Sequence, residues 1–504
     1  MDRIFDLPEG ILQRILYFLS QEEVVRTSVL SKSWRYTWCT RTNLDFSDAT
    51  FKGQKQEFLS VVDNALQQYC DQRVCLDEFH LRISLHDREH ESVSLLEKWM
   101  PMLTTMGVKE SRLSIRSEYG SIDHLPSVVF EAESLRHLSL KKIVLDENAI
   151  GKIALCKNLR SLHLLDVAVD DNIFQTMIAG FPLIETLCVD GLGIGLRTIK
   201  MNDLRNLKYF TFKEVLFSTD ELCRIEIHPL SLETINVSYG NVWFHKEANF
   251  RNLDDLHLRG VRSSLDSLSF CKFPRLKSLA LLYCDEPKES RIFIDAPNML
   301  YFEYRGDFVP SVSFATNSVR EWKSEIHVTY IITPTANDGG TSLWFLKLDE
   351  LLKSLSRSKI SLSIYHKPRS IFKVDIIQEK INTVHDYGRN KPVFVETLNL
   401  SFPLSYFSTL VNGAFSICRP RKIGNYLGEW EVEFVGYMWK ILMERESGNE
   451  NELTRLLFRD LEGANLEIKG NILAIFAGII SFDSTTSRTL EYEKVKIHKQ
   501  EKRI

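Results

Sequence analysis

This chain of 504 residues has almost no charge imbalance, because 63 lysine and arginine residues face 67 aspartate and glutamate residues. A net charge of −4 argues against a strongly basic nucleic-acid binder, and we predict neither a nucleic-acid nor a membrane partner. The longest apolar run near the C-terminal end, Ile472 to Phe482, has eleven residues. A bilayer-spanning helix needs about 20. The acidic start, Met1 to Asp6, differs from a basic signal-peptide start, so no signal peptide is predicted.

Patterns of catalysis and metal binding are also missing. The nine cysteines include no CxxC pair, which predicts reduced core thiols in a cytoplasmic and/or nuclear protein. His86 and His90 have helical spacing, but zinc would need further ligands at fixed spacing. Neither a phosphate-binding loop nor a GxSxG nucleophile turn occurs. We therefore predict no catalytic residues, no cofactor and no metal site.

The first forty residues have the pattern of short helices with an apolar face. Pro8 suits the first helical position, because its missing N–H would lack a partner there. Ser20 with Glu23 has the spacing of a capping box for a second helix, and a third carries Trp34 and Trp38. Apolar residues of the first helix recur at helical spacing, namely Ile11, Leu12, Ile15, Leu16 and Leu19. So small a segment cannot bury this surface alone, so it docks either on the rest of the chain or on another protein.

This segment resembles the F-box of plant F-box proteins over residues 2–46. The resemblance is carried by Phe5-Asp6-Leu7-Pro8 and by Arg26-Thr27-Ser28-Val29-Leu30-Ser31-Lys32-Ser33-Trp34-Arg35. It implies a three-helix domain that binds a Skp-type adaptor and, through it, a cullin scaffold. The implied adaptor-binding residues are Leu7, Pro8, Leu12, Ile15, Leu16, Val29 and Trp34. The sequence leaves open which of them contact the adaptor and which fill the three-helix core.

A second pattern, L-x-x-L-x-L, recurs from about residue 107. Its central apolar residues lie at positions 113, 138, 162, 187, 210, 235, 256, 279, 302 and 322. The intervals fall in the leucine-rich-repeat range of about 20–29 residues. The predicted fold is α/β, a three-helix F-box followed by a leucine-rich-repeat solenoid with its parallel sheet on the concave face. The solenoid is degenerate, since the usual later Asn or Cys is replaced by Ile143, Val167, Val215 and Val261.

Two further regions complete the predicted domains, which are 2–46, 47–106, 107–330 and 331–504. The connecting region 47–106 contains a predicted strand, Phe79 to Ile83, and a predicted helix, Val93 to Met106. The repeats occupy 107–330. The region 331–504 is predicted to be repeat-like α/β structure, with a helix from Leu343 to Leu355 and one more strand signature at Val395, Leu398 and Leu400.

Side chains that flank each central residue alternate along the strand, so they are predicted to point outward from the sheet. The predicted substrate-binding residues in this column are Ser139, His163, Thr211, Asn236, His257 and Glu303. Cys188 and Ala280 fall in the same column. Such a mixed column fits a protein-binding face and a solvated sheet equally well.

Taken with the resemblance, these features imply the substrate-recognition subunit of an SCF-type ubiquitin ligase, without bond chemistry of its own. The F-box would bind the adaptor and the repeats would bind an unknown target protein. The alternative is a non-catalytic leucine-rich-repeat scaffold or receptor that does not assemble into a ligase.

Overall fold

The computed structural model describes residues 7–19, 40–85, 90–117, 127–145, 156–191, 195–214, 222–228, 231–285, 291–315, 321–330, 339–366, 392–401 and 413–424, apart from residue 415, together with a few single positions between them. The chain forms two compact units: unit 1 comprises residues 1–253 and 261–263, and unit 2 comprises residues 254–260 and 264–504. Within the described part of the chain, no helix is both long enough and apolar enough to cross a membrane.

Unit 1 contains a parallel sheet of eight strands in the order β1-β2-β3-β4-β5-β6-β8-β10 and a second sheet in the order β11-β9-β7. The strands are β1 (Asn43–Ser47), β2 (Glu78–Leu85), β3 (Glu110–Ser117), β4 (Leu135–Lys141), β5 (Ser161–Leu165), β6 (Thr186–Gly191), β7 (Thr198–Lys200), β8 (Tyr209–Glu214), β9 (Arg224–Ile227), β10 (Thr234–Ser238) and β11 (Asn241–Phe244). The large sheet begins in β1, N-terminal to the predicted start of the repeats at residue 107.

Four α-helices of unit 1 are described: α1 (Glu9–Tyr17), α2 (Lys55–Gln72), α3 (His90–Thr105) and α4 (Asp171–Ala179), with a 3₁₀ turn at Ser127–Glu131. Helix α2 begins with a capping box in which the Gln54 and Glu57 side chains bond each other's backbone N–H. Helix α4 begins where the Asp170 carboxylate accepts the Ile173 N–H at 2.8 Å. These bounds confirm the predicted strand at Phe79 and the predicted helix at Val93.

Unit 2 contains a parallel sheet in the order β12-β13-β15-β17-β18-β19-β20, and β14 pairs with β16 beside it. The strands are β12 (Asp255–Arg259), β13 (Ser278–Leu282), β14 (Arg291–Ile294), β15 (Tyr301–Gly306), β16 (Ser311–Phe314), β17 (Trp322–Tyr330), β18 (Ser358–His366), β19 (Val393–Ser401) and β20 (Cys418–Gly424). Helix α5 (Gly339–Ser354) and a 3₁₀ turn at Leu265–Phe270 complete it. Both the predicted helix near Leu343 and the strand at Val395 are confirmed.

The register of both sheets confirms the predicted repeat. In unit 1 the central residues pair from strand to strand, in the order Leu113, Leu138, Leu162, Leu187, Phe210 and Ile235. In unit 2, Leu256 pairs with Leu279 and Leu279 with Phe302. All of these side chains are buried. Each such burial contributes about 1.5–3 kcal/mol, so the stacked central residues form the core of each sheet.

The last central residue was predicted wrongly. Phe302 pairs with Ser324, not with Trp322, so the repeat continues two residues later than the apolar pattern indicates. Ser324 is fully buried, and its Oγ lies 2.6 Å from the Ser358 Oγ on the neighbouring strand. Because this hydrogen bond satisfies the hydroxyl, a serine can occupy an inward position that periodicity alone reserves for an apolar residue.

In most described repeats, the residue four positions after the central residue has a positive φ, in the left-handed region, and lies at the turn that follows the strand. In unit 1 these residues are Lys142 (φ 55°), Asp166 (φ 53°), Gly191 (φ 142°) and Tyr239 (φ 59°), and in unit 2 they are Gly260 (φ 59°) and Tyr283 (φ 53°). The Lys142 N–H donates to the Leu165 carbonyl at 2.9 Å, and the Asp166 N–H donates to Asp190 at 2.8 Å. These two turns therefore keep their backbone hydrogen bonds to the next repeat, although Ile143 and Val167 follow them in place of the usual Asn or Cys.

Candidate docking surfaces

Helix α1 begins one residue later than predicted. Pro8 is the residue before the first helical position, with φ −55° and ψ 145°, and its carbonyl accepts the N–H groups of Ile11 and Leu12 at 2.9 and 3.1 Å. A proline suits this place because its ring fixes φ and no N–H is lost from the helix. The helix ends at Tyr17, after which Phe18 and Leu19 donate to carbonyls of the last turn.

The apolar residues of α1 lie on two neighbouring faces. Leu12 and Leu16 are 3% and 0% exposed and form a small buried cluster against which Leu7, Ile15 and Leu19 pack. Ile11 and Phe18 lie on the adjacent face and are 46% and 75% exposed. Helical spacing places Ile15 beside both of them, at i+4 from Ile11 and i−3 from Phe18. We call the exposed residues Pro8, Ile11 and Phe18, together with the half-buried Ile15 between them, the α1 strip.

The predicted adaptor-binding residues therefore fall into three groups. Leu12 and Leu16 are buried within the chain, and Leu7 and Ile15 are half-buried. Pro8 is exposed at the start of the helix. Val29 and Trp34 lie outside the described residues, as do most residues of the predicted second and third helices. Their assignment to adaptor binding stays a prediction.

Helix α1 is connected to the unit 1 sheet by polar contacts at its C-terminal end. The Tyr17 hydroxyl donates to the Glu78 carboxylate on β2, at 3.1 Å from Oε1 and 3.2 Å from Oε2. The Asn43 side chain donates to the Tyr17 carbonyl at 3.5 Å. The Glu78 carboxylate raises the pKa of Tyr17, because the hydrogen bond and the negative charge both favour the neutral phenol. These contacts hold the helix end at the first two strands.

The predicted outward column is in register within each unit. In unit 1, Ser139 pairs with His163, and the same row continues through Cys188, Thr211 and Asn236. In unit 2, His257 pairs with Ala280 and Ala280 with Glu303. Most of these side chains are half-buried or exposed, whereas their strand neighbours are buried. We call this polar side of each sheet its open face.

An open pocket of about 290 Å³ lies on the open face of unit 1, across strands β2 to β5. Two rows of polar side chains line it, and the strand register aligns them. The first row is His80, Arg112, His137 and Ser161. The second row is Arg82, Ser114, Ser139 and His163. The pocket thus contains Ser139 and His163 of the predicted column, whereas Thr211 and Asn236 lie further along the same row.

The arginines of this pocket are ion-paired on its rim. The Arg112 Nε donates to Glu110 Oε1 at 2.7 Å, and Arg82 Nη2 donates to Asp45 Oδ1 at 2.8 Å. Because each guanidinium has five N–H donors, one carboxylate partner does not exhaust either arginine. The two carboxylates are not among the residues that line the pocket, whose polar side chains can all donate hydrogen bonds.

Burial and the positive charge of Arg112 both lower the pKa values of His80 and His137 in the pocket. The pKa of His80 is lowered, first by burial and then by Arg112, against the opposing effect of Asp45, Glu78 and Glu110. The pKa of His137 is lowered for the same two reasons, partly offset by Glu110. The Nε2 of His80 is buried without a hydrogen bond, and its nearest carboxylate oxygen, on Glu78, is 3.9 Å away. Neutral imidazoles therefore predominate in this pocket at neutral pH.

A different polar group lies on the open face of unit 2. Glu303, Glu325 and His327 bring possible ligand atoms within 4.8 Å of one another. The Arg305 Nε donates to Glu303 at 2.6 Å and Tyr365 lies 3.2 Å from the His327 Nδ1. Because Arg305 already balances the Glu303 charge, these contacts describe a hydrogen-bonded network and carry no metal assignment.

Sequence reasoning missed part of both surfaces. Ile11 was predicted to belong to the apolar stripe and Phe18 was not, and neither was among the predicted adaptor-binding residues. Their i, i+7 spacing with Ile15 between them nevertheless defines one helix face. His80 and Arg82 were missed because their strand was assigned to the connecting region. The alternation in Phe79-His80-Leu81-Arg82-Ile83 would have placed both on the outward side.

Comparison with known proteins finds an F-box domain and leucine-rich repeats in this chain. A family model described as the F-box domain matches residues 4–45, and the model described as FBD-associated F-box protein At5g56370, LRR repeats, matches residues 96–224. Among Arabidopsis thaliana proteins, F-box/LRR-repeat protein At3g59200 is 29% identical over 287 residues, which are 53% of this chain and 51% of that protein. F-box/LRR-repeat protein At3g26922 is 30% identical over 190 residues, which are 37% of this chain and 59% of that protein.

The two matches define the chain as one with an F-box followed by FBD-associated leucine-rich repeats. This chain contains both kinds of domain, and the relatives it matches are F-box/LRR-repeat proteins of a plant. It spans about half the length of the curated relatives it matches.

Proposed function

We propose that this chain is the substrate-recognition subunit of an SCF-type ubiquitin ligase. Its F-box binds a Skp-type adaptor, which joins it to a cullin scaffold, and its repeats bind a target protein. The observation that carries the proposal is an F-box whose first helix exposes apolar side chains next to a repeat sheet with a polar open face.

The α1 strip supports the adaptor part of this proposal. Exposed apolar side chains on one helix face are a common way for a helix to enter a partner's apolar groove. Phe18 is the most exposed large apolar residue of the described chain, and Ile11 lies almost two turns before it. Leu12 and Leu16, on the neighbouring face, hold the helix on its own buried cluster. The strip is therefore presented on a fixed helix, which lowers the ordering cost of binding.

The chain performs no bond chemistry in this proposal. It accelerates ubiquitin transfer by holding a target close to the charged conjugating enzyme, which replaces a bimolecular encounter by a high effective concentration. The rate then depends on the geometry between the adaptor-binding and target-binding surfaces. The hydrogen bond between Tyr17 and Glu78 contributes to that geometry, since it joins the F-box helix to the repeat sheet.

Adaptor binding tests the proposal directly. The purified chain should co-elute with a Skp-type adaptor, and Ile11→Asp with Phe18→Asp should weaken the complex at least ten-fold by burying charge in the interface. Leu183→Asp is the matched control. The Leu183 side chain is also apolar and exposed, with 41% of its surface accessible, but it lies on a repeat loop. The control should bind the adaptor as the unsubstituted chain does.

A folded chain that fails to bind the adaptor would contradict the ligase proposal. It would favour the second interpretation, a repeat scaffold or receptor without ligase assembly. Folding is checked by circular dichroism on the same preparation. Ile15→Asp with Leu16→Asp is a poorer test of the interface, because Leu16 is buried and its replacement perturbs the helix itself.

A further inference from the structure

The pocket on strands β2 to β5 has the composition of an anion site. Its polar lining consists of three imidazoles, two guanidiniums and three hydroxyls, and no carboxylate lines it. Arg112 occupies the middle of the first row, because it pairs in register with His80 on one side and His137 on the other. Neighbouring strands lie about 4.8 Å apart, so the two imidazoles flank the guanidinium at roughly equal distances.

The second row supplies the hydroxyl donors. Ser114 and Ser139 lie two residues along their strands from Arg112 and His137, on the same side of the sheet. His163 closes the row, and its Nε2 lies 3.0 Å from the Ser161 hydroxyl of the first row. Donors from four adjacent strands therefore surround one opening. Such a multi-strand arrangement suits a ligand group with several acceptor oxygens more than a two-oxygen carboxylate.

We propose that this pocket binds a phosphorylated side chain of the target protein, with Arg112 as the central contact. The inference rests on the proposed function, because it names the chemistry by which the repeats would recognise their target. A phosphorylated serine or threonine carries a charge of about −1.5 to −2 and three strong acceptor oxygens, which match the guanidinium, imidazole and hydroxyl donors of the two rows. The opening of the pocket to the surface admits a side chain on an extended segment.

The protonation of the histidines fits this ligand. Burial and Arg112 lower the pKa of His80 and His137 when the pocket is empty, against the carboxylates of Asp45, Glu78 and Glu110, and His163 adds its own effect on His137. A bound phosphate reverses the balance, because its negative charge favours the imidazolium form. Binding is then linked to proton uptake, and affinity increases as the pH falls.

The test uses a fluorescein-labelled degenerate peptide pool with a fixed central phosphoserine, measured by fluorescence anisotropy on the full-length chain. Identical pools with serine or glutamate at the centre serve as comparison. We expect the phosphoserine pool to bind at least ten-fold more tightly than either. Its affinity should rise between about pH 8 and pH 6.5, a range in which phosphoserine stays mostly dianionic because its second pKa is about 6.

Arg112→Gln should weaken phosphopeptide binding about ten-fold or more, the loss expected for one charge-assisted hydrogen bond. Arg160→Gln is the matched control, since Arg160 is also an exposed arginine paired with one carboxylate, at 3.2 Å from Glu185, but lies outside the pocket. His163→Gln provides a second variant at an exposed position. It should weaken binding several-fold and reduce the pH dependence.

Equal binding of the phosphoserine and serine pools would overturn the inference, as would an equal loss in Arg112→Gln and Arg160→Gln. Equal competition by inorganic phosphate or by a single-stranded oligonucleotide would also overturn it, because the site would then not select a phosphorylated peptide. Adaptor binding, measured on the same preparations, separates this result from the proposed function. A chain that binds the adaptor but not the phosphopeptide contradicts only the pocket assignment.

Discussion

The Tyr17 hydroxyl donates to both oxygens of the Glu78 carboxylate, at 3.1 and 3.2 Å, and so joins the F-box helix α1 to strand β2 of the repeat sheet. Tyr17→Phe removes this bond and keeps the ring. We expect faster amide hydrogen exchange in residues 9–17, by a factor that corresponds to about 0.5–1.5 kcal/mol of lost local stability. Hydrogen exchange followed by mass spectrometry measures this effect.

Tyr209→Phe is the control for this prediction. The Tyr209 hydroxyl also donates to a carboxylate, that of Glu233 just before the neighbouring strand β10, at 3.0 Å, but Tyr209 lies far along the chain from α1. This substitution should leave exchange in residues 9–17 unchanged. If both variants altered α1 equally, or neither did, the Tyr17 bond would not be what holds the helix end in place.

The left-handed turn residues predict a stabilising substitution. Lys142 has φ 55°, a conformation that costs a side-chain-bearing residue about 1 kcal/mol and glycine almost nothing. Lys142→Gly should raise the free energy of unfolding by about 0.5 kcal/mol, after allowing for the larger backbone entropy of glycine in the unfolded chain. Urea unfolding measures it. Lys141→Gly, one residue earlier in β4, should instead lower the free energy by about 0.5–1 kcal/mol.

At the equivalent turn position Gly191, replacing the glycine should destabilise the chain. Its φ is 142°, and an added Cβ would lie 2.5 Å from the backbone nitrogen of Asp166 in the preceding repeat. Gly191→Ala should lower the free energy of unfolding by about 2 kcal/mol or more, because backbone atoms cannot move aside as a side chain can. Gly10→Ala is the control, as no atom lies within 4 Å of its added Cβ and alanine favours the helix. Equal effects of the two substitutions would contradict the steric argument.

The sequence predicts the repeat strands well because each depends on local apolar spacing, which is visible from Leu113 to Phe302. The prediction from sequence fails where a tertiary contact allows a polar residue to occupy a core position. Ser324 takes a core position through its hydrogen bond to Ser358, a partner 34 residues away that periodicity cannot identify. The sequence also does not predict which apolar residues of α1 are buried and which form the α1 strip. Residues such as Leu12 and Ile11 differ only in what packs on them.

The hydrogen bond between the buried Ser324 and the half-buried Ser358 allows a double-substitution test. Ser324→Ala leaves the Ser358 hydroxyl with its bond to the Leu355 carbonyl, at 2.8 Å, but removes its partner across the strands. We expect each single alanine variant to lose about 1 kcal/mol of unfolding free energy, and the double variant to lose less than the sum. Urea unfolding of the four chains gives the coupling energy. Strict additivity would show that the two hydroxyls do not stabilise each other.

The pocket histidines predict how stability depends on pH. The folded-state pKa values of His80 and His137 are lowered, mainly by burial, so the unfolded chain binds more protons than the folded one below the ordinary histidine pKa of about 6.5. Their contribution to stability is present above about pH 6.5 and is lost as the pH falls through the folded pKa values. His80→Gln with His137→Gln should therefore flatten the dependence of the unfolding free energy between about pH 7.5 and pH 5.5. Ser139→Ala, in the same pocket but without a titrating group, should leave that dependence unchanged. An unchanged slope in the double histidine variant would mean that these side chains are as well solvated in the folded chain as in the unfolded one.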